Sequence, residues 1–347
     1  MAEQSFPVEL PTPFRLSRLM SSLWMAQSIY TAAALGVADA LADGPRRSED
    51  VAPSVGAHPG ALHRLLRALV ALELCTVTDD GAFELTPLGA CLRSGTRESV
   101  RSWALLMGSP MCWGSWGRLI DCVRSGESIP QLDGWASAFD FRQIHPAESA
   151  IFDQSMVEMT RHLAGAIAVG YDFAGIGTLV DVGGGYGALL PPILKAHPEM
   201  RGVVFDQPGC RDGALRLFEK TDLADRCEFV GGSFFEAVSP AGADAYIVKS
   251  VIHDWDDERS IAILRTIRAA MGERSRLLVV EPIVPDRPGT SPYDAMIAGT
   301  DLNMLVVTGG KERTESEFRA LLDAAGVSVR RIVETPATMS VIEAYRT

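Results

Sequence analysis

The chain has 347 residues, 47% of them apolar and 22% charged, which is long enough for two domains of ordinary size. No stretch approaches the ~18 uninterrupted apolar residues of a membrane span, so we expect a soluble protein with no membrane partner. The 44 acidic residues outnumber the 32 basic ones, and the net charge of −12 argues against nucleic acid as the main partner.

The N-terminus lacks the pattern of a secretory signal, because acidic residues and prolines interrupt it before Leu16. The six cysteines are scattered and form no C-x-x-C pair, which predicts neither a metal site nor a redox dithiol. We therefore expect reduced, mostly buried thiols in a cytoplasmic protein that holds no metal.

The first third of the chain has the pattern of a helical domain with a small hairpin. An apolar-periodic helix is predicted over residues 16–41, followed by a short helix at 48–55 and a longer one at 58–74. Residues 75–85 then turn back through Asp80-Gly81. Helix, turn, helix and hairpin in this order are typical of a winged helix.

One hypothesis for a protein with a winged helix is a DNA-binding regulator that also has a ligand-sensing domain. Arg64 and Arg67 lie on the helix that would enter a DNA groove. Two arginines do not form a basic patch, and the whole chain is acidic. We therefore favour a packing or dimerisation domain over residues 1–100.

The rest of the chain divides into a helical segment and an alternating one. Residues 101–168 are rich in tryptophan, phenylalanine and methionine, which could build a core or the walls of a pocket for a flat ligand. From residue 169 to 347, short β-rich runs alternate with helices, which predicts a parallel sheet covered on both faces. Two last runs, 327–333 and 339–344, suit an antiparallel pair at its edge.

The most informative segment is a glycine-rich turn after the first strand of this region. Residues 179–182 run directly into Gly183-Gly-Gly-Tyr-Gly187, where glycines let the backbone approach a ligand closely. The next strand ends at Asp206, whose carboxylate can accept hydrogen bonds from both hydroxyls of a ribose. The glycine turn and Asp206 together predict an adenosine-containing ligand. Two questions stay open at this point. The glycines could serve packing alone, and the ligand could be a dinucleotide or S-adenosylmethionine.

Five motifs in their order along the chain resemble those of small-molecule O-methyltransferases, a family that includes caffeate-type plant enzymes and bacterial antibiotic-tailoring enzymes. They are Asp181-Val-Gly-Gly-Gly185, Phe205-Asp-Gln-Pro208, Gly231-Gly-Ser-Phe-Phe235, Lys249-Ser-Val-Ile-His-Asp-Trp255 and Gly309-Gly-Lys-Glu-Arg-Thr314. The resemblance covers nearly the whole chain. It implies a Rossmann-like class I methyltransferase α/β fold, with a parallel sheet, an antiparallel C-terminal strand and a winged-helix dimerisation domain. It also implies S-adenosylmethionine as cofactor and a homodimer.

The same resemblance assigns cofactor contacts to residues of these motifs. They are Gly183 at the methionine part, Asp206 at the ribose, Phe234 on the adenine, and Lys249 and Trp255 in the rest of the pocket. At Ser233 the family commonly has aspartate. The Ser233 hydroxyl can accept a hydrogen bond from the adenine amino group, but this bond is weaker than one to a carboxylate.

His253 is the candidate general base. It follows the apolar run 245–251 at the carboxyl end of a strand, where ligands bind in such sheets, and an imidazole titrates near the working pH. The alternative is a hydrogen-bonded structural histidine. By the resemblance, Glu281 and Glu312 flank this imidazole, whereas sequence alone would favour a surface or capping role for Glu312.

The acceptor pocket is assigned by the family pattern alone. The predicted wall residues are Phe152, Met156, Met159, Asn303 and Met304. A plain hydrophobic core would use the same kinds of residue. We expect an aromatic or polyketide-derived hydroxyl as acceptor, with a carboxylate or an amine left open. A second hypothesis keeps the fold and the cofactor but replaces methylation with decarboxylation or hydroxylation.

Overall fold

The computed structural model describes residues 11–347. Residues 1–10, which belong to the predicted N-terminal domain and to the segment that lacks a secretory pattern, lie outside the described part. The described chain divides into two compact units, with the border between Trp113 and Gly114. This border falls inside the 101–168 segment, so that segment does not stand as a separate unit, and the three-part division stays a prediction.

The first unit consists of short helices and one hairpin. Its elements are α1 (Thr12–Met20), α2 (Ser22–Leu35), α3 (Val37–Ala40), α4 (Ser48–Val51), a 3-10 helix (Ala52–Val55), α5 (Pro59–Ala71), β1 (Cys75–Val77), β2 (Phe83–Leu85), α6 (Pro87–Ala90) and α7 (Arg101–Gly108). The helix predicted over residues 16–41 is broken at Ser21 and at Gly36, whose φ of +70° favours glycine. The antiparallel hairpin β1–β2 confirms the prediction for residues 75–85.

Burial in the first unit is one-sided. Leu62, Leu66 and Leu69, spaced at i, i+4 and i+7 on α5, are all at most 2% exposed and form the core with neighbouring helices. In contrast, α1 and the start of α2 expose large apolar side chains, among them Leu19 at 70% and Trp24 at 68%. An apolar helix face left exposed in a single chain is typical of a surface that binds another protein.

The second unit carries the main sheet. Its helices are α9 (Leu119–Ser125), α10 (Ile129–Leu132), α11 (Ala138–Gln143), α12 (Pro146–Gly170), α13 (Leu190–Ala196), α14 (Arg211–Lys220), α15 (Asp257–Ala270), α16 (Pro292–Val307) and α17 (Glu315–Ala324), with 3-10 helices at Pro208–Cys210 and Ile252–Asp254, while α8 (Pro110–Trp116) crosses the border. Its strands are β3 (Thr178–Val182), β4 (Arg201–Asp206), β5 (Cys227–Gly231), β6 (Ala245–Lys249), β7 (Arg276–Glu281), β8 (Ile283–Val284), β9 (Arg313–Thr314), β10 (Val327–Glu334) and β11 (Ser340–Arg346). Across residues 11–347, no helix combines the length and apolar character needed to cross a membrane.

Within the described residues the sheet has seven strands in the order β10-β11-β7-β6-β3-β4-β5. The five strands from β3 to β7 pair in parallel, whereas β11 pairs antiparallel with both β7 and β10. Both the parallel sheet and the antiparallel C-terminal pair are therefore as predicted. The strand order reverses beside β3, which has β4 on one side and β6 on the other. Ligands of open α/β sheets bind at the carboxyl ends of the strands next to such a reversal.

A short parallel pair, β8 with β9, was not predicted. It pairs Ile283 with Arg313 and Val284 with Thr314, just after the carboxyl end of β7. Two-residue strands leave no period in the sequence, so only the tertiary structure shows them. This pairing brings the segment that contains Glu312 next to the end of β7, where Glu281 lies.

Candidate active site

The turn after β3 has the backbone of a ligand-binding loop. Gly183, Gly185 and Gly187 have φ values of +71°, +57° and +78°, which favour glycine. A Cβ at Gly183 would lie 2.7 Å from a methyl carbon of Val251, and one at Gly187 would lie 2.7 Å from a methyl carbon of Val204. A side chain is therefore excluded at Gly183 and Gly187 both by conformation and by space.

Asp206 at the end of β4 points its carboxylate at this turn. Its Oδ2 accepts a hydrogen bond from the backbone amide of Gly185 at 2.6 Å, and its Oδ1 accepts one from the amide of Gln207 at 2.6 Å. Burial raises the pKa of Asp206, while these two hydrogen bonds oppose the rise. A carboxylate has about four acceptor positions. The thiol of Cys210 also hydrogen-bonds to this carboxylate, so two ribose hydroxyls would take the last free position and displace this weak donor.

An aromatic cluster lies on the other side of the glycine turn. Trp255 stacks on Phe139 with ring centroids 5.4 Å apart and meets the edges of Phe234 and Phe235 at 6.2 and 4.8 Å. Phe234 also reaches within 3.5 Å of the position of a Cβ at Gly183. The buried indole nitrogen of Trp255 has no hydrogen-bond partner in the structure. The sequence motifs include Phe234, Phe235 and Trp255, but Phe139 lies in a different segment and was missed.

Ser233 and Lys249 hold local hydrogen bonds at the same end of the sheet. The hydroxyl of Ser233 accepts from the amide of Phe235 at 3.3 Å, and Nζ of Lys249 donates to Oγ of Ser250 at 3.0 Å. Burial lowers the pKa of Lys249, although nearby carboxylates act in the opposite direction. Ser250 has a φ of +52°, an uncommon value for a residue with a side chain, and backbone strain of this kind clusters at functional sites.

Two further polar contacts beside the glycine turn were not predicted. Asp181 is buried beneath the turn, where a Cβ at Gly184 would lie 2.6 Å from its carboxyl group, and burial raises the pKa of Asp181 to about 7. The hydroxyl of Tyr186 donates to Oδ2 of Asp153 at 3.2 Å and so joins the turn to α12. Asp153 is isolated in sequence from the motifs, so nothing in its pattern indicated the contact.

His253 lies in the 3-10 helix that follows β6, and both predicted glutamates reach its ring. Its Nδ1 is 3.0 Å from Oε1 of Glu312 and 3.5 Å from Oε2 of Glu281, whereas its Nε2 is 4.0 Å from Oδ1 of Asp254. The imidazole is 15% exposed, but the two glutamate side chains are at most 1% exposed. The structure thus gathers these residues from three distant segments.

Glu281 also binds the main chain of the turn that carries His253. Its Oε1 accepts hydrogen bonds from the amides of Val251, Ile252 and His253 at 3.0, 3.0 and 3.4 Å. These amides open the 3-10 helix and have no intrahelical partner, so the carboxylate satisfies donors that would otherwise be orphaned. The resemblance placed Glu281 beside the imidazole but did not indicate these bonds.

The electrostatics of the cluster favour a basic imidazole. Burial by itself lowers the pKa of His253, but the charge of Glu281 and the hydrogen bond to Glu312 outweigh burial and raise the pKa to about 10. Nδ1 is turned to the glutamates, whereas Nε2 lies 4.0 Å from Oδ1 of Asp254. The same three side chains place possible metal-ligating atoms within 4.8 Å of one another. The expected absence of a metal stays a prediction.

The predicted acceptor-binding residues on α12 lie close to the aromatic cluster. Phe152 meets the ring of Phe139 at 6.2 Å, edge to face, and the guanidinium of Arg142 lies 3.8 Å from the centre of the Phe152 ring. Met156 and Met159 are half-buried on the same helix. Their part in binding a substrate stays a prediction.

The helix that carries the assigned residues Asn303 and Met304, α16, is hydrogen-bonded to the main chain of Glu312. Asp301 accepts a hydrogen bond from the amide of Glu312 at 2.9 Å. Two residues further, Oδ1 of Asn303 accepts from the indole nitrogen of Trp116 at 3.0 Å, a partner that the sequence did not indicate. Met304 is 9% exposed, with the Thr308 hydroxyl 3.8 Å from its sulfur. The Met304 side chain is thus less exposed than that of a residue that lines an open pocket.

Comparison with known proteins agrees with this architecture. Residues 116–328 match the model of the O-methyltransferase domain, and residues 17–95 match the O-methyltransferase dimerisation domain. The chain is 38% identical to a phenazine O-methyltransferase of Lysobacter antibioticus over 99% of both chains.

Two solved structures extend the comparison. The crystal structure of LaPhzM covers 97% of this chain and 100% of its own, with a TM-score of 0.92 and 38% identity. NcsB1 from neocarzinostatin biosynthesis, solved with S-adenosylhomocysteine and 1,4-dihydroxy-2-naphthoic acid, covers 95% of this chain and 98% of its own, with a TM-score of 0.78 and 34% identity. The chain therefore belongs to the family of S-adenosylmethionine-dependent O-methyltransferases.

Proposed function

We propose that this enzyme methylates a hydroxyl group of a small aromatic or polyketide-type natural product, with His253 as the general base. The observation that carries the proposal is the orientation of the imidazole. Glu312 and Glu281 lie at Nδ1, so Nε2 is the nitrogen that can take the proton of an acceptor hydroxyl. Its position at the carboxyl end of β6, beside the glycine turn after β3, suits a site where acceptor and cofactor meet.

The residues around the glycine turn fit the cofactor. When bound, S-adenosylmethionine supplies a methyl group on a positively charged sulfur. We assign the main chain at Gly183 to its methionine part, the carboxylate of Asp206 to its ribose hydroxyls, and Phe234 and Trp255 to its adenine. The unpartnered indole nitrogen of Trp255 supports a polar ligand there. Lys249 and Ser233 complete this assignment, with Ser233 as a weaker contact than the aspartate common in the family.

The proton transfer follows from ordinary acid–base chemistry. A phenol has a pKa of ~10 and is a poor nucleophile until its proton is lost. With the cofactor bound, Nε2 of His253 would accept that proton as the acceptor oxygen takes the methyl group, and the carbon–sulfur bond would break to leave neutral S-adenosylhomocysteine. The carboxylates of Glu312 and Glu281 then stabilise the imidazolium that forms. Much of the remaining acceleration comes from alignment of the reacting atoms.

The acceptor is assigned to the space beside α12 and α16. Phe152, Met156 and Met159 provide an aromatic ring and two adaptable thioethers, which suit a flat ring system. Asn303 and Met304 provide a polar group and an apolar one from α16. We further propose that two copies of the cytoplasmic enzyme form a homodimer through α1 and α2. The apolar side chains that these helices expose and the match to a dimerisation domain support this assembly.

Tracing the cofactor methyl group tests the proposed reaction. The purified enzyme is incubated with methyl-labelled S-adenosylmethionine and a panel of hydroxylated phenazines, naphthoates and benzoates. We expect label in an ether product of at least one acceptor. Label that stays with the cofactor while an acceptor loses carbon dioxide or gains oxygen would instead establish the non-methylating alternative. Label on nitrogen would replace the hydroxyl acceptor with an amine.

The pH dependence of turnover tests the role of Glu312. The imidazolium must lose its proton before it acts as a base, and the glutamates raise the pKa of His253 to about 10, so kcat/KM for the acceptor should rise with pH up to about pH 10. In Glu312→Gln this rise should move to lower pH, because a charge that favours the imidazolium is gone. The maximal rate should fall about 10- to 100-fold, equivalent to one charged hydrogen bond.

Glu315→Gln is the matched control for that measurement. Glu315 is an exposed glutamate three positions further, paired with Arg319 on the surface of α17. It should change neither the rate nor the pH profile. Ionisation of the acceptor itself would give a rise that is identical in both variants and the wild type. An unshifted profile in Glu312→Gln would therefore contradict the role of Glu312.

A further inference from the structure

Arg313 binds main-chain carbonyls of the turn that carries His253, whereas Glu281 binds its amides. The Arg313 side chain is fully buried, with 0% exposure. Nη1 donates to the carbonyl oxygen of Ile252 at 3.0 Å, and Nη2 donates to the carbonyl oxygen of Trp255 at 2.8 Å. These two carbonyls lie immediately before His253 and immediately after Asp254. The guanidinium thus bridges both ends of the short segment that contains the base.

The amides and the carbonyls of the turn are held by groups of opposite charge. The carboxylate of Glu281 accepts the amides of residues 251–253, and the guanidinium of Arg313 donates to the carbonyls of Ile252 and Trp255. The main chain of Gly310 also packs against the turn, where a Cβ would lie only 1.9 Å from the carbonyl oxygen of His253. The segment that carries Glu312 therefore contacts the turn at its backbone as well as at the imidazole.

The chemistry of arginine explains why this residue type suits the position. Arg313 has one ion-pair partner, Asp257, whose carboxylate accepts from Nε at 3.1 Å and from Nη2 at 2.9 Å. That carboxylate is 54% exposed, so it compensates the buried charge only in part. The other donors bind main-chain oxygens and the Ser260 hydroxyl. A lysine ammonium would preserve the charge but could not span two carbonyls in one plane.

We propose that Arg313 is a positioning residue for the general base. It fixes the ends of the 252–255 turn, and through the turn it sets where Nε2 of His253 lies relative to the acceptor hydroxyl. A misplacement of about 1 Å at a reacting centre can cost about 100-fold in rate, so control of this short turn has a large effect. This inference rests on the proposed role of His253 as base.

Arg313→Lys tests the proposal in the full-length enzyme. We expect kcat to fall by about 10- to 100-fold. The Kd for S-adenosylhomocysteine and the KM for S-adenosylmethionine should stay within about threefold, because Arg313 contacts none of the assigned cofactor residues except the main chain of Trp255. Lys311→Ala is the matched control. It removes a neighbouring positive charge from the same carboxylate, Asp257, without a side-chain bond to the turn, and should leave kcat unchanged.

A double-mutant cycle with His253→Ala separates positioning from general stabilisation. If Arg313 acts through the imidazole, Arg313→Lys should lower kcat in the wild type but should not lower the residual rate of His253→Ala. An equal fractional loss in both backgrounds would overturn the proposal, because the arginine would then support the fold alone. Full activity of His253→Ala would instead reject the proposed base itself, so the two failures are distinguishable.

Ser260→Ala provides the same test with a smaller change, should Arg313→Lys fail to fold. The buried Ser260 hydroxyl accepts from Nη2 of Arg313 at 3.2 Å and lies 3.2 and 3.3 Å from the carbonyl oxygens of Ile252 and Trp255. We expect a kcat reduction of about 3- to 10-fold that disappears in the His253→Ala background. A reduction that persists there, or no reduction in the wild type, would overturn the proposal.

Discussion

His253→Ala is expected to lower the rate of methyl transfer by about 10²- to 10⁴-fold, the usual contribution of a general base, while S-adenosylhomocysteine binds with nearly unchanged affinity. The variant removes the nitrogen that accepts the acceptor proton but leaves the glycine turn and Asp206 in place. Single-turnover rates with a phenolic acceptor and calorimetric titration with S-adenosylhomocysteine measure the two quantities separately.

The dependence on acceptor acidity sharpens this prediction. A dinitrophenol is almost fully ionised at neutral pH, so it needs no base, and the loss in His253→Ala should shrink for such an acceptor. His197→Ala is the matched control. His197 lies between α13 and the start of β4, near the amino ends of the strands and not at the carboxyl ends that form the site. Normal methylation of weakly acidic phenols by His253→Ala would contradict the assignment.

Local patterns explain why much of the fold could be predicted from the sequence. The β-rich runs, the glycine turn and Asp206 are each defined by a few consecutive residues, and the spacing of strands with helices indicates a parallel sheet. The structure confirms the strands within one or two residues at each end. His253 was identifiable because it comes soon after a buried strand, so its place at the carboxyl end of the sheet follows from that strand.

The interactions around His253 were harder to predict because they join distant segments. Glu281 and Glu312 come from the ends of separate elements, and only the family resemblance placed them beside the imidazole. The resemblance gave no indication that Glu281 binds the amides of the turn or that Arg313 binds its carbonyls. A buried arginine is rare and looks like a surface residue in a sequence. Its partners here are main-chain atoms, which leave no trace in residue types.

The packing of the helices near the acceptor site could not be predicted from the sequence either. Phe139 lies on α11, yet it stacks on Trp255 after β6 and meets Phe152 on α12. Trp116 in the same way reaches Asn303 on α16. Aromatic residues at helical spacing are consistent with either a core or a pocket, and only the packing of the helices distinguishes them. The identity of the acceptor therefore depends on features that a pattern of residues does not encode.

Asp206→Asn is expected to weaken cofactor binding by about 100-fold or more. The carboxylate receives the amides of Gly185 and Gln207, one on each oxygen, and is assigned both ribose hydroxyls as well. An asparagine has one acceptor oxygen, so one of the two amides would face an NH₂ group. Each lost hydrogen bond to a charged group is worth about 1.5–3 kcal/mol, and about 1.4 kcal/mol corresponds to a tenfold change in Kd.

Calorimetry with S-adenosylhomocysteine and the KM for S-adenosylmethionine measure that loss. At saturating cofactor, kcat should change by less than about tenfold, because Asp206 is assigned to the ribose and not to the proton transfer. Asp244→Asn is the matched control. Asp244 also accepts two main-chain amides, those of Gly177 and Thr178, but at the opposite end of β3. At Asp244 both amides bind the same oxygen, Oδ2, which an asparagine can keep, so this control removes a charge at that end of the strand without removing the main-chain bonds. If the two variants bound the cofactor equally well, Asp206 would be a structural carboxylate that holds the glycine turn, and the ribose assignment would have to move to another residue.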